Sequence, residues 1–437
     1  MMLKSRSFRA GIHPPGSKIT AGRPIERAKL PPFVTILLHQ HVGAPCKPLV
    51  REGDEVKTGQ KIGDSDSLVS APVHASISGV VKEISTQLSP IGREVQGIRI
   101  ESDGRDEWVR MEEINPGNAS KREIIARIRE AGIVGLGGAA FPTSVKLSPP
   151  EGKEIDTVIL NGAECEPGIT ADHRLMVEQP DKILKGMAII MKVVEADRGF
   201  IGIEDNKRDA IERVSEAVER EADKRIKVIA LKTKYPQGEA GILIKTVVNR
   251  ETPAGSHSYD IGVIVHNVST AKAIHDAVYD GIPLVERVVT VTGDVRAPKN
   301  LVTRIGTSFY KLIEECGGVK GDAGKILSGG LMQGIAGYQD VPVIKSTGCI
   351  IVLSREKSKL PEERACLRCG TCVEVCPIGL IPTILGKLAA EGRFEECMEY
   401  HIQDCMGCGC CTYVCPSKIP LTQLIDYGKA ELKKRAG

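Results

Sequence analysis

The chain has few aromatic residues: Phe, Trp and Tyr make up 3% of its 437 residues, with a single Trp. That leaves little ring surface for stacking single-stranded bases. It also lacks an excess of either charge, with 59 Lys and Arg against 56 Asp and Glu and a formal net charge of +3. The balance excludes a strongly basic nucleic-acid binder and a strongly acidic tail protein. No run approaches the roughly 18 uninterrupted apolar residues of a membrane span. The opening MMLKSRSFRAGIHPP has no apolar centre, so a cleavable export signal is not expected. At 41% hydrophobic and 26% charged residues the composition is that of a folded protein, long enough for about three domains.

Cysteine is the exception, with 14 residues. Cys366, Cys369, Cys372 and Cys376 precede Pro377, and Cys405, Cys408, Cys411 and Cys415 precede Pro416. Each set reads C-x2-C-x2-C-x3-C-P, the two-cluster pattern for [4Fe–4S] ligation, in which the fourth Cys ligates the other cluster. Cys366, Cys369, Cys372 and Cys415 are therefore expected to hold one cluster, and Cys405, Cys408, Cys411 and Cys376 the second. Zinc knuckles use paired C-x2-C units without the third Cys and the Cys-Pro. Disulfides require an oxidising compartment. Cys410 breaks the register and reads as a free thiol beside a cluster. Cys316 shares an apolar helix face with Phe309, Leu312 and Ile313 and reads as core.

About 360 residues precede the clusters. Residues 31–105 are β-rich, with apolar strands at 34–38, 44–50 and 79–84. GDEVKTGQKI and SGVVKEI resemble the halves of a biotinyl/lipoyl-type barrel-sandwich. No Lys lies between Ile62 and Val81, where the hairpin holds Asp64, Ser65, Asp66 and Ser67. A swinging-arm carrier is thus disfavoured against a structural barrel. Ser120 and Glu123 form a capping box before Ile124, Ile125 and Ile128. Strands at 157–160, 199–203, 226–231 and 261–265 alternate with helical patterns, so a largely parallel sheet covered by helices is expected. The loops at 161–168, 204–206, 235–239 and 266–270 would gather at one sheet edge, where ligands bind in open parallel sheets. Residues 286–340 read as a small β-grasp-like unit, and 356–437 as helices around the cluster loops.

Gly135, Gly137 and Ala140 satisfy G-x-G-x-x-A, but they follow a helix rather than a strand, which rejects a dinucleotide fingerprint. In the wider segment GLGGAAFPTSVK, glycines allow close backbone approach to a flat or anionic ligand. Thr143 can cap a following helix, Lys146 adds a positive charge, and Phe141 can lie against a nicotinamide or flavin ring. The local sequence equally permits a tight turn with a core Phe.

GLGGAAFPTSVK, NGAECEPGITADHR, YPQGEAG and HNVST occur in an order that resembles the 51 kDa flavin- and NADH-binding subunit of respiratory complex I. With the N-terminal barrel-sandwich, the β-grasp module and the doubled Cys motif, nearly the whole chain resembles the C-type subunit of the Rnf (Rsx) electron-transport complex. GIHPPGSK and APVHASISGVV add to that likeness.

The resemblance implies a multidomain α/β and α+β protein. Its parts are an arm at 1–30, a barrel-sandwich at 31–105, an FMN/NADH domain at 106–283, a β-grasp-like module at 284–355 and a two-cluster domain at 356–437. It implies FMN contacts for Gly135, Gly137 and Lys146, with Gly138 and Phe141 nearer the nicotinamide nucleotide. It places Asn161 and Glu164 at the flavin and Glu166 at the nucleotide. Tyr235, Gly238 and Glu239 match a further flavin-and-nucleotide loop, and Asn267 and Thr270 match the N-V-x-T element. The chain departs from the family at Leu136, where an Arg is usual, and at Ala163 and Ala240, where acidic residues are. Asp172 and Arg174 read as a local ion pair.

The implied activity is hydride exchange between NAD(H) and FMN, followed by single-electron relay through two [4Fe–4S] clusters. The implied setting is a peripheral subunit at the cytoplasmic face of a membrane. Membrane and iron–sulfur subunits of an Rnf complex are its partners, ferredoxin is reached indirectly, and Na⁺ or H⁺ transport is coupled. No Arg-rich segment lies near Glu166, which favours NADH over NADPH. Two other readings are a soluble cobalamin-reductase-like flavin/iron–sulfur reductase and a non-catalytic ferredoxin-like scaffold. The barrel-sandwich follows the clusters in those reductases and precedes them here.

Overall fold

The computed structural model describes residues 5–337 and 339–436. Its N-terminal β unit has a four-stranded sheet in the order Phe33–Leu37, Glu94–Ser102, Gly79–Leu88, Glu55–Val56. A three-stranded sheet of Lys47–Pro48, Lys61–Asp64 and Val73–His74 completes it. Alternation along Phe33–Leu37 sends Val34 and Ile36 into the core, as expected for a sheet with one buried face. The segment expected as a strand at 44–50 forms a regular strand only over Lys47–Pro48, with one further bond from Leu49 N to Ile62 O at 2.8 Å. The turn after Asp64 is anchored: Asp64 pairs with Arg129 and Lys61, each at 3.0 Å.

The central domain has four parallel strands in the spatial order Ile226–Leu231, Arg198–Glu204, Thr157–Gly162, Val263–Asn267. Helices such as Pro180–Val194 and Val268–Tyr279 bury apolar faces against it. Thr157–Gly162 has its successor on one side and the last strand of the domain on the other. Strand order therefore reverses between Thr157–Gly162 and Val263–Asn267. A crevice opens at such a reversal, at the C-terminal strand ends.

The third unit is a six-stranded mixed sheet with the helix Phe309–Glu315, capped by Ser308. Its edge strand, Ile25–Arg27, comes from the N-terminal arm and runs parallel to Lys299–Arg304. The arm also touches the central domain, with bridges from Arg6 to Leu231 and from Ile12 to Tyr235. Cys316 is fully buried beside Phe309 and Leu312, as expected. The last unit consists of short helices around the cysteine loops, closed by Leu421–Ala436. No helix among the described residues is long and apolar enough to cross a membrane.

Candidate functional site

The polar loops meet at the strand reversal. Asn161 and Asn267 are register partners at the ends of adjacent parallel strands. Asn267 caps the helix Val268–Tyr279, its Oδ1 accepting from Ser269 N at 2.9 Å. Asn161 Nδ2 donates to Gly238 O at 2.7 Å, which draws the 235–239 loop to the same point. Glu239 caps the next helix, Oε2 accepting from Ile242 N at 3.0 Å.

The glycine loop lies across this crevice. It follows the helix Lys121–Glu130 and is closed by a Val134–Pro142 bridge and a Gly135 N to Phe141 O bond of 2.9 Å. Leu136 N donates to Thr270 Oγ1 at 2.9 Å. A Cβ on Gly137 would come within 3.2 Å of the Asn267 side chain, which would have to shift by a few tenths of an ångström to admit it. Gly138, at φ +124, has open space where a side chain would stand. Thr143 does not cap a helix: Pro142 occupies that position, and the helix is the single turn Thr143–Lys146.

Three groups beside this loop lack the partners that buried polar groups ordinarily have. Thr143 Oγ1 and His266 Nε2 are buried without a hydrogen bond. Lys146 donates to Val265 O and has no carboxylate partner among the described residues, and burial pulls its pKa down to about 8. Burial, with Lys146 nearby, holds His266 neutral. A cation and two orphaned polar atoms beside an open glycine loop fit a group that carries a phosphate.

Two lysines hold the 161–169 loop. Lys18, on the N-terminal arm, donates to the carbonyls of Glu164, Glu166 and Ile169 at 2.7, 2.8 and 2.6 Å. Lys207 donates to Ala163 O at 2.7 Å and pairs with Glu204 at 3.0 Å. Glu164, at φ +46, turns its carboxylate onto the start of the helix Ala171–Glu178, accepting from Asp172 N at 2.7 Å. Burial lifts its pKa to about 7, against the pull of Lys18. Glu166 accepts from Met332 N and Gln333 N at 2.9 and 3.1 Å, tying the central domain to the third unit.

Lys18 ends the GIHPPGSK segment that adds to the family likeness, but its role was not legible there, since its acceptors are backbone carbonyls 146 to 151 residues away. Lys207 and Asp172 were likewise not singled out by the sequence as site residues. The expected Asp172–Arg174 pair is absent: Arg174 pairs with Glu178 at 2.8 Å, one helical turn on. Asp172 instead accepts from Asn267 Nδ2 at 2.6 Å and from Ser269 Oγ.

The eight motif cysteines divide between two hollows. Cys366, Cys369, Cys372 and Cys415 line one of about 170 Å³. Cys376, Cys405, Cys408 and Cys411 line a tighter one of about 20 Å³, together with Cys410. The fourth Cys of each motif has crossed to the other hollow, and soft thiolates in fours are the donor set of an iron–sulfur cluster. Cys410 turns toward Ile12 and Tyr235 in an apolar junction with the central domain. Tyr235 OH donates to Cys408 O at 2.7 Å and lies 3.4 Å from Glu166 Oε1.

Four family profiles tile the chain. The Nuo51 FMN-binding domain matches residues 128–276 and the RnfC barrel sandwich hybrid domain residues 6–105. The SLBB domain matches 288–336 and the 4Fe-4S dicluster domain 365–419. The C-type subunit of the proton-translocating ferredoxin:NAD(+) oxidoreductase complex of Clostridium ljungdahlii is 47% identical, over 98% of this chain and 94% of that one. The chain belongs to the RnfC family. The matching subunit of the Na(+)-translocating ferredoxin:NAD(+) oxidoreductase complex of Acetobacterium woodii is 43% identical, over 99% of this chain and 98% of its own. Its counterpart in the ion-translocating oxidoreductase complex of Rhodobacter capsulatus is 39% identical, over 99% of this chain and 84% of its own. An NAD+-reducing [NiFe]-hydrogenase in the air-oxidized state shares the fold, with a TM-score of 0.50 and 18% identity over 72% of this chain and 62% of that one. As a member of the RnfC family the protein is an electron-transferring oxidoreductase subunit with an FMN-binding domain and a two-cluster [4Fe–4S] domain.

Proposed function

We propose that this chain exchanges a hydride with NAD(H) at the glycine loop and passes single electrons through its two cysteine hollows to partner subunits. Bound FMN supplies the two-electron to one-electron conversion that this exchange requires. Gly135, Gly137, Asn161, Glu164, Asn267 and Thr270 shape the flavin crevice, and Lys146 supplies positive charge for a phosphate. Gly138 leaves room for the nicotinamide nucleotide, beside Phe141, Glu166, Tyr235, Gly238 and Glu239. Hydride transfer needs orientation and exclusion of water rather than a side-chain base. Lys18, Lys207 and Asp172 provide that orientation by holding the loops.

The observation that carries the electron path is the bond from Tyr235 OH to Cys408 O. It joins the crevice loop to the hollow of Cys376, Cys405, Cys408 and Cys411, which we assign as the entry cluster. Cys366 and Cys369 of the other hollow are exposed, and Leu367 beside them is 70% exposed. That hollow is the exit, facing an iron–sulfur partner of the complex. The names of the relatives, as subunits of ion-translocating ferredoxin:NAD(+) oxidoreductase complexes, support a place in such a complex with NAD(H) as the nucleotide. Its setting in this reading is the cytoplasmic face of a membrane, with ferredoxin reached through other subunits.

The test is anaerobic reconstitution with FMN and iron, followed by NADH titration. Flavin bleaching and then cluster reduction are expected. Lys146→Ala should weaken FMN binding at least tenfold with iron content unchanged. A flavin-loaded sample that NADH does not bleach overturns the hydride reading.

A further inference from the structure

A cavity of about 560 Å³ is lined by Leu136 of the glycine loop, by the helix Val268–Tyr279 and by strands of the six-stranded sheet. Its volume is within the range of small-molecule sites. The wall is rich in cations, and each of its three carboxylates is already engaged. Asp106 pairs with Arg304 at 2.5 Å, Glu286 with Arg27 at 2.8 Å, and Asp276 with both Lys182 and Lys272.

Two wall cations have no carboxylate partner among the described residues. Arg287 is 7% exposed and its guanidinium rests on backbone carbonyls alone: Val288 O at 3.3 Å, Leu136 O at 3.4 Å, and Lys345 O. Those three bonds use three of its five N–H groups. Arg110 is exposed near the ring of Trp108. In addition, Arg304 is 8% exposed, and its Nη1 is buried with no hydrogen-bond partner. Asp172 acts on Arg287 only through space, without an ion pair. A buried guanidinium lacking a directly bonded counter-ion is costly, and the usual remedy is an anion held by charge-assisted bonds.

We propose that this cavity is a second ligand site, for a small organic polyanion anchored by Arg287 and Arg304, with Arg110 at its mouth. The shared ligand chemistry is two or more negative charges on oxygen, as in a phosphate ester or a polycarboxylate. The proposal does not rest on the flavin reading, because the cavity wall takes only Leu136 from the glycine loop.

The test uses the intact chain loaded with FMN and clusters, in chloride buffer at fixed ionic strength. Isothermal calorimetry is run with inorganic pyrophosphate and, separately, with citrate. Saturable one-to-one binding of at least one probe is expected, with FMN retained. Pyrophosphate alone would identify a phosphate ligand, citrate alone a polycarboxylate, and both a site that reads charge. Arg287→Met should weaken the binding at least tenfold, the loss of about one charge-assisted bond. Arg110→Ala, a surface change, should weaken it about threefold and carries the test if Arg287→Met does not fold. Absence of saturable heat with both probes, unchanged affinity in the variants, or release of FMN by the probe overturns the proposal.

Discussion

Tyr235 OH lies 2.7 Å from the carbonyl oxygen of Cys408, so a crevice-loop residue is hydrogen-bonded to a residue of the second cysteine motif. The phenol is almost fully buried, and burial raises its pKa, so it stays a protonated donor.

Removing only that hydroxyl isolates the contact. Tyr235→Phe keeps the buried ring and should cost about 1 kcal/mol of stability. Iron and FMN content should be unchanged, while cluster reduction after an NADH pulse slows several-fold. Stopped-flow absorbance of the anaerobic protein checks this, and an unchanged rate would remove Tyr235 from the electron path.

Lys18 donates to three carbonyls of the 164–169 loop from a distant arm. Lys18→Met leaves those acceptors without their donor. It should lower stability by about 2 to 4 kcal/mol and weaken FMN binding at least tenfold. Iron content should hold, because the cluster unit does not share these bonds. Flavin fluorescence titration alongside an iron assay separates the two effects.

The two hollows predict different outcomes for neighbouring thiols. Cys376→Ser should remove about half of the iron, the cluster of the second motif. Cys410→Ser should leave iron unchanged, since Cys410 faces the Ile12 and Tyr235 junction. Metal and sulfide analysis of both variants decides the assignment.

Glu164 predicts a pH dependence. Burial raises its pKa from 4.5 to about 7. Below pH 4 the carboxyl is protonated in both states and the contribution of this group is fully present. Between roughly pH 4.5 and 7 the unfolded chain ionises while the folded one keeps its proton, so stability falls as pH rises, by about 3 kcal/mol in total. Glu164→Gln should remove that slope. Thermal midpoints of both proteins from pH 5 to 8 test this: their difference should change across the window, and a constant difference would mean that Glu164 titrates normally.

Much of the chain was legible from local pattern. The C-x2-C-x2-C-x3-C-P repeats specify their chemistry because spacing along the chain sets which thiolates share a loop. The capping box of Ser120 and Glu123 formed as read, since both partners lie within one helical turn. The parallel strands and their polar ends followed from alternating apolar runs. Thr143 was misread as a cap because Pro142 takes that place, and Asp172 because its partners come from the far end of the domain.

By itself, then, the sequence determined the iron–sulfur ligation, which rests on cysteine spacing within a few residues, while the flavin and nucleotide classes and the identity of the loops came from the order of segments that resembles a known family. Only the tertiary structure decided that Lys18 holds the 164–169 loop, that Glu166 clasps Met332 and Gln333, and that Tyr235 reaches Cys408. The reason is range. Those contacts join residues 146 to 173 positions apart, and the acceptors or donors are mostly backbone groups that every residue possesses, so no side-chain pattern marks them until packing brings them together.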